Sequence, residues 1–284
     1  MTKLKKTMTT FNVMLAHPVG KKEFDKDSFI QPKLDGVRCY INKDGAFSRN
    51  HKPFKNADHI IDELKPLFDK YPTIILDGEL YNHTFKDNFN KIISLVRKQS
   101  PTKAERDEAK VIQFHNYDMF HPNLPTFSFR DRDAFMHGLH SKFNLIYCKP
   151  VETHKVPNIE SATKWHKHFL SFGYEGSILR NNNKYEQKRS YNLQKFKDFQ
   201  DSEATITGWV EGQGKRIGTI GKFLARDADG VEFGMPVMDD YKIMEKMYDI
   251  ADWYIGKKAT FTYFQKTPSG SYRHPLYKCV RDYE

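Results

Sequence analysis

Apolar residues recur along this chain with two periods, and the switches between them mark its elements. "SFIQPK" (28–33) and "VRCYINKDGAFSR" (37–49) alternate apolar and polar positions, which predicts strands, the second folded into a hairpin at Asn42-Lys43-Asp44-Gly45. After Asn56, a predicted helix cap, Ile60, Ile61, Leu64, Leu67 and Phe68 recur at helical spacing until "YPT" stops the pattern. "TIILDGELY" (73–81) is apolar and β-branched enough for a buried strand, and Phe89, Ile92, Ile93 and Val96 mark the inner stripe of a following helix. Further strands are expected in "VIQFHNYDMF" (111–120), "LIYCKPVETHKV" (145–156) and "GSILR" (176–180), with helices at about 127–143 and 159–172. Hairpins mixed with helical crossovers imply an α+β fold.

Near residue 200 the pattern changes to short strands punctuated by glycine, then one helix in "DDYKIMEKMYDIADWY" (239–254), then strands again. Five or so short strands with one helix in about 85 residues fit a small Greek-key barrel of the OB type. Two domains are therefore expected, 1–199 and 200–284.

Charge follows the same boundary. The formal net charge is +10, yet from residue 200 onward 12 Lys and Arg face 13 Asp and Glu, against 34 and 23 before it. The basic face, and with it a polyanionic partner, belongs to the first part. The chain has no apolar run of membrane length, and its opening residues lack the apolar core of a secretory signal, so a soluble cytoplasmic protein is expected. Cys39, Cys148 and Cys279 are widely spaced and odd in number, which argues against a disulfide framework or a zinc site.

"QPKLDGVRCY" (31–40) raises a chemical question. Taken alone, Lys33 and Arg38 flank an Asp-Gly turn and would simply be solvated. A lysine attacks phosphorus only as the free amine, and an ordinary pKa near ~10.4 leaves roughly one in a thousand deprotonated at neutral pH. Desolvation, neighbouring cations or a divalent metal would have to favour the amine. Lys-x-Asp-Gly-x-Arg should arise by chance on the order of once in several hundred chains of this length.

This pattern resembles the signature of the covalent nucleotidyltransferases, the polynucleotide ligases and messenger-RNA capping enzymes, in which the lysine becomes nucleotidylated. Other stretches resemble that family's further motifs in the family's order. "SRNH" would place Arg49 on a nucleic-acid phosphate. "LDGEL" would set Glu79 on the ribose hydroxyls or near the metal, and "FHNYDMF" would stack Tyr117 on the purine. "EGSILR" makes Glu175 a metal-associated carboxylate, and "LQKFKDF" carries Lys195 and Lys197, which alternation along one strand would turn to the same face and to the α-phosphate. The resemblance further implies Gln31 beside the adenine edge, Arg38 on the ribose or the nick phosphate, and Asp35 in the turn and near the metal.

The second part points to one branch. "EGQGKRIGTIGKF" resembles the glycine- and lysine-rich loop of DNA ligase OB domains, and Arg273 and Arg281 in "RHPLYKCVR" match their closing motif. The chain is thus most similar to compact ATP-dependent DNA ligases of bacteriophages and other viruses. That likeness implies ATP as the AMP donor, Mg²⁺ or Mn²⁺, nicked double-stranded DNA as partner, Lys215 and Arg216 as DNA contacts, a monomer, and host cytoplasm if the source is viral. An RNA ligase with the same lysyl-AMP chemistry is the alternative.

Overall fold

The computed structural model describes residues 11–20, 26–267 and 269–281, so the first ten residues of the opening stretch read above for a secretory signal lie outside them. The chain divides into two compact units, one ending at Phe196 and the other beginning at Lys197.

Ten strands of the first unit form two five-stranded sheets. One runs β1 (Leu15–Pro18), β10 (Arg189–Phe196), β9 (Gly176–Asn181), β2 (Ser28–Lys33), β8 (His154–Val156). The other runs β4 (Gly45–Phe47), β3 (Val37–Asn42), β5 (Ile75–Tyr81), β6 (Gln113–Phe120), β7 (Cys148–Pro150). Against the second sheet pack α1 (Asp58–Lys70), α2 (Phe89–Val96) and α4 (Phe129–Phe143), through Ile60, Leu64, Ile92, Leu95, Phe114 and Met136. Helix α5 (Ile159–Ser171) covers the first sheet with Ala162 and Phe169 on Ile30 and Leu179. Full burial of each such side chain contributes roughly 1.5–3 kcal/mol, which ties the helical stripes to the sheets. Met14, Leu193 and Tyr185 form a smaller cluster with Phe11, Phe120 and Ile178, drawing residues from both sheets together.

Three expectations change. Asn56 is not the cap of α1, a position held by Ala57; it is buried, and its amide donates to Leu95 O. "LIYCKPVETHKV" is no single strand: β7 and β8 belong to different sheets. Glu63 of α1 accepts the backbone N–H groups of Ile146, Tyr147 and Cys148, anchoring the start of β7. An extra helix, α3 (Lys103–Ala109), stands on a capping box of Thr102 and Glu105 that apolar periodicity does not reveal.

"KLDGVR" is the crossing between the sheets. Lys33 ends β2 in one and Arg38 lies in β3 of the other, so Asp35 and Gly36 carry the chain across rather than close a hairpin. Only glycine fits at 36, because a Cβ there would lie 2.5 Å from Leu80 O and 2.7 Å from Glu79 Cγ.

The second unit is a five-stranded sheet in the order β13 (Glu232–Pro236), β12 (Ile220–Arg226), β11 (Gln200–Glu211), β14 (Lys258–Tyr263), β17 (Leu276–Val280). A short ladder joins β15 (Gln265–Lys266) to β16 (Tyr272–Arg273), and α6 (Tyr241–Asp249) sets Met244 and Met247 on a core with Phe223, Met235 and Phe261. The expected barrel is not closed by hydrogen bonds: β13 and β17 approach each other, but no ladder joins them among the described residues.

Candidate active site

A cavity of about 150 Å³ is lined from both sheets of the first unit: Lys33, Ile178, Arg180 and Lys195 from one, Arg38, Glu79 and Tyr117 from the other. Lys33 is opposite Gly176 in the β2–β9 ladder, and Glu175 donates its backbone N–H to Lys33 O at 3.1 Å. Residues 142 apart in sequence thereby become neighbours, and Lys33 Nζ pairs with Glu175 Oε2. The Glu175 side chain is 4% exposed and that of Lys33 22%, so the carboxylate holds the amine from within the protein while the amine reaches the cavity.

Arg38 and Glu79 are cross-strand partners in β3 and β5. Arg38 Nε and Nη2 donate to the two oxygens of buried Asp77 at 2.8 and 2.6 Å, and Nη2 also to Met14 O at 3.1 Å. Tyr185 OH donates to Asp77 Oδ2 at 2.7 Å and accepts from Met14 N at 2.9 Å. The guanidinium is thus fixed on its Nε–Nη2 edge. Burial raises the Glu79 carboxyl to about 7, with Arg38 and Lys33 opposing and Glu175 and Asp77 reinforcing the shift.

Tyr117 enters through a bulge. Asp77 faces Asp118 and Gly78 faces Asn116, leaving Tyr117 as the extra residue of β6, a position that re-aims a side chain. A Cβ at Gly78 would lie 2.4 Å from His115 O, so this register requires glycine there. The Tyr117 hydroxyl, kept protonated by burial, donates to Glu79 Oε2 at 3.4 Å. Arg38 and Arg180 lie 5.0 and 5.3 Å from its ring centroid, within cation–π range.

Behind this wall is a buried ion network. Asp118, fully buried, accepts from Arg132 Nε and Arg180 Nη1, each at 2.7 Å. Burial alone would raise its pKa, but the two guanidinium groups outweigh burial and hold it below the ordinary value. Arg180 Nε also donates to Gln31 Oε1 at 2.6 Å, while Gln31 Nε2 donates to Tyr117 O and Thr153 Oγ1. The Gln31 amide is therefore engaged by protein groups and braces the tyrosine strand. Neither Asp118 nor Arg180 was singled out by sequence. The available signal was an aspartate within an apolar strand, where an unpartnered charge would be costly.

Other expected residues fall elsewhere. Asp35 does not line the cavity; its charge acts on the Tyr81 hydroxyl. Lys195 and Lys197 do not share a strand: β10 ends at Phe196, and Lys197 belongs to the second unit, its Nζ 4.5 Å from the Phe264 ring centroid. Arg49 is exposed after β4. In the second unit Lys215 is exposed, whereas Arg216 Nη2 donates to Val237 O at 2.6 Å and contacts Met244 Sδ at 2.9 Å. Arg281 pairs with Glu203 at 2.7 Å, and Arg273 lies 6.0 Å from the Phe264 ring centroid.

A lysine held by a carboxylate at the seam of two sheets, ringed by cations and an aromatic, followed by a small OB-type unit, defines the covalent nucleotidyltransferase class. The chain belongs to the family of ATP-dependent DNA ligase domains, whose family model matches residues 13–197. It is 29% identical over 211 residues to the DNA ligase of African swine fever virus, an alignment covering 70% of this chain and 48% of the viral protein. The chain thus spans about half the length of the curated relatives it matches. Among solved structures it resembles a Lig E DNA ligase (TM-score 0.78, 22% identity, 96% of this chain and 100% of that one). It also resembles Chlorella virus DNA ligase-adenylate (TM-score 0.53, 23% identity, 97% and 100%).

Proposed function

We propose that this protein is an ATP-dependent DNA ligase that seals nicks bearing a 5′-phosphate and a 3′-hydroxyl, with Lys33 as the nucleophile. The observation that carries the reading is the Lys33–Glu175 pair at a cavity shared with Arg38, Glu79, Tyr117 and Lys195. Lys33 sheds one proton to Glu175, its carboxylate partner, and its Nζ attacks the α-phosphorus of ATP. The new P–N bond displaces pyrophosphate, and the second proton passes to solvent. Lys195 and Arg38 neutralise the non-bridging oxygens, since phosphoryl transfer asks mainly for placement and charge compensation. Tyr117 offers its ring to the base and Glu79 its carboxyl to the ribose.

AMP then passes to the 5′-phosphate, and the 3′-hydroxyl displaces it to form the phosphodiester. The domain roles are adenylation in residues 1–199 and OB-type DNA contact, with Lys215 at its surface, in 200–284. Arg49 and the net positive charge of the first part supply contacts independent of base sequence. Replication, repair and recombination all generate such nicks.

Among the described residues no three His, Cys, Asp or Glu side chains gather to hold a metal by themselves. Glu79 and Glu175 are close enough for each to feel the other's charge, which suits Mg²⁺ held by one or two carboxylates together with substrate phosphates. Bound there, the ion would supply charge neutralisation at the phosphates. No helix among the described residues is long and apolar enough to cross a membrane. The ligase reading itself, through the family resemblance, carries the expectation of a monomer acting on DNA in the cytoplasm, the host's if the source is viral.

Mass spectrometry after incubation with ATP and magnesium tests the reading: one added AMP, mapping to Lys33, is expected. Labelling by GTP alone would overturn it.

A further inference from the structure

Arg38 belongs to a closed circuit of hydrogen bonds. Its Nη2 donates to Met14 O, Met14 N donates to the Tyr185 hydroxyl, and that hydroxyl donates to Asp77 Oδ2, to which Nη2 also donates. The four links measure 3.1, 2.9, 2.7 and 2.6 Å, and they join β3 and β5 to the residue before β1 and to the stretch between β9 and β10. Of the four residues Arg38 alone lines the nucleotide cavity. Met14, Asp77 and Tyr185 are buried, so a bond lost among them leaves a donor or acceptor with no water to replace its partner. A core tyrosine ordinarily takes whatever partner is near, as Tyr40 and Tyr81 take the ring nitrogens of His51 and His83, 11 and 2 positions away. Tyr185 instead reaches across 171 positions to Met14 and 108 to Asp77, the two groups that hold Arg38. The terminal torsion of an aspartate is broad, so a carboxylate held by Arg38 alone can swing and take the guanidinium with it. The hydroxyl on Oδ2 and the Met14 carbonyl on Nη2 remove that freedom.

We propose that Tyr185, together with the main chain of Met14, is a positioning residue for the reaction: it sets the angle at which Arg38 meets the α-phosphate. The inference rests on the ligase reading, in which Arg38 neutralises a non-bridging oxygen as Lys33 attacks. Tyr185 touches no reacting atom and acts through Asp77 and Met14. Exact placement of a compensating charge counts most where charge is redistributed, in the transition state. Loss of the hydroxyl therefore slows the attack by Lys33 more than it weakens ATP binding.

The test is Tyr185→Phe, which removes only the hydroxyl and keeps the aromatic packing on Phe11 and Phe120, each 5.8 Å away between ring centroids. Single-turnover formation of lysyl-AMP at saturating ATP should fall about tenfold, while the half-saturating ATP concentration stays within about twofold. The same substitution in an Arg38→Gln background should change the rate by less than about twofold, because no guanidinium is left to place. Phe11→Ala removes packing from Tyr185 without breaking the circuit, so it should lower stability in urea unfolding yet leave the rate within about twofold. An unchanged rate in Tyr185→Phe, or a loss confined to ATP affinity, would overturn the inference. A tenfold fall in both backgrounds, or an equal fall in Phe11→Ala, would do the same, since each marks a residue that merely supports the fold. If the wild type itself forms no lysyl-AMP, the ligase reading fails and takes the inference with it; if it does and Tyr185→Phe matches it, the inference alone is lost.

Discussion

The two units use the same cationic side chains in opposite ways. In the first, Lys33 and Arg38 are braced by Glu175 and Asp77 and presented to a cavity that Lys195 also lines. In the second, Arg216 is turned inward onto Val237 O, while Arg281 and Lys278 pair at the surface with Glu203 and Asp201. The difference teaches that a basic motif tells little until its partners are known. A carboxylate behind a cation aims it at a ligand, whereas a carbonyl in front of it consumes its hydrogen-bonding capacity.

The strongest way to break this comparison is Lys33→Ala, which should abolish the covalent adenylate while leaving DNA binding largely intact, as read by mass spectrometry and a binding titration. A persisting adenylate at full yield would remove Lys33 as nucleophile. Next in size, Asp118→Ala should destabilise the first unit by about 3–5 kcal/mol in urea unfolding, because it strands two buried guanidinium groups. A neutral outcome would mean that the network does not hold the tyrosine wall.

Glu79 gives a smaller, pH-dependent effect. Its folded pKa of about 7 exceeds the ordinary 4.5, so the folded state binds the proton more tightly. The associated stability is complete below about 4.5 and is lost as pH rises through about 7. Over that window the wild type should lose on the order of 2 kcal/mol relative to Glu79→Gln, allowing for partial exposure of the side chain. Parallel pH profiles for the two proteins would contradict the raised pKa. Smallest is the neighbour pair in the second unit. Arg216→Ala should cost about 1 kcal/mol of that unit's stability and Lys215→Ala close to nothing, since only the former removes an internal hydrogen bond. Equal losses would erase the distinction between a cation held by the fold and one left to solvent.

Much of the site was legible through the resemblance of its motifs and their order along the chain. Lys33, Arg38, Glu79, Tyr117 and Lys195, expected from the family's motif order, all line the cavity. Local pattern failed where the decisive partner was distant. Asn56 matched a cap by residue type, yet Leu95 O claims its amide. Lys195 and Lys197 alternate in sequence, but the strand ends between them. Tyr185 carried no motif and became notable only when the fold set it between Asp77 and Met14.

By itself, then, the sequence determined the order of motifs, the α+β character and the change of texture near residue 200. Only the tertiary structure decided that "KLDGVR" bridges two sheets, that a bulge turns Tyr117 to the cavity and that Asp118 joins Arg132 to Arg180. The physical reason is range. Periodicity and turn chemistry act over a few residues, whereas the partner that fixes a buried charge is chosen by strand pairing, which here brings Lys33 to Glu175 across 142 positions.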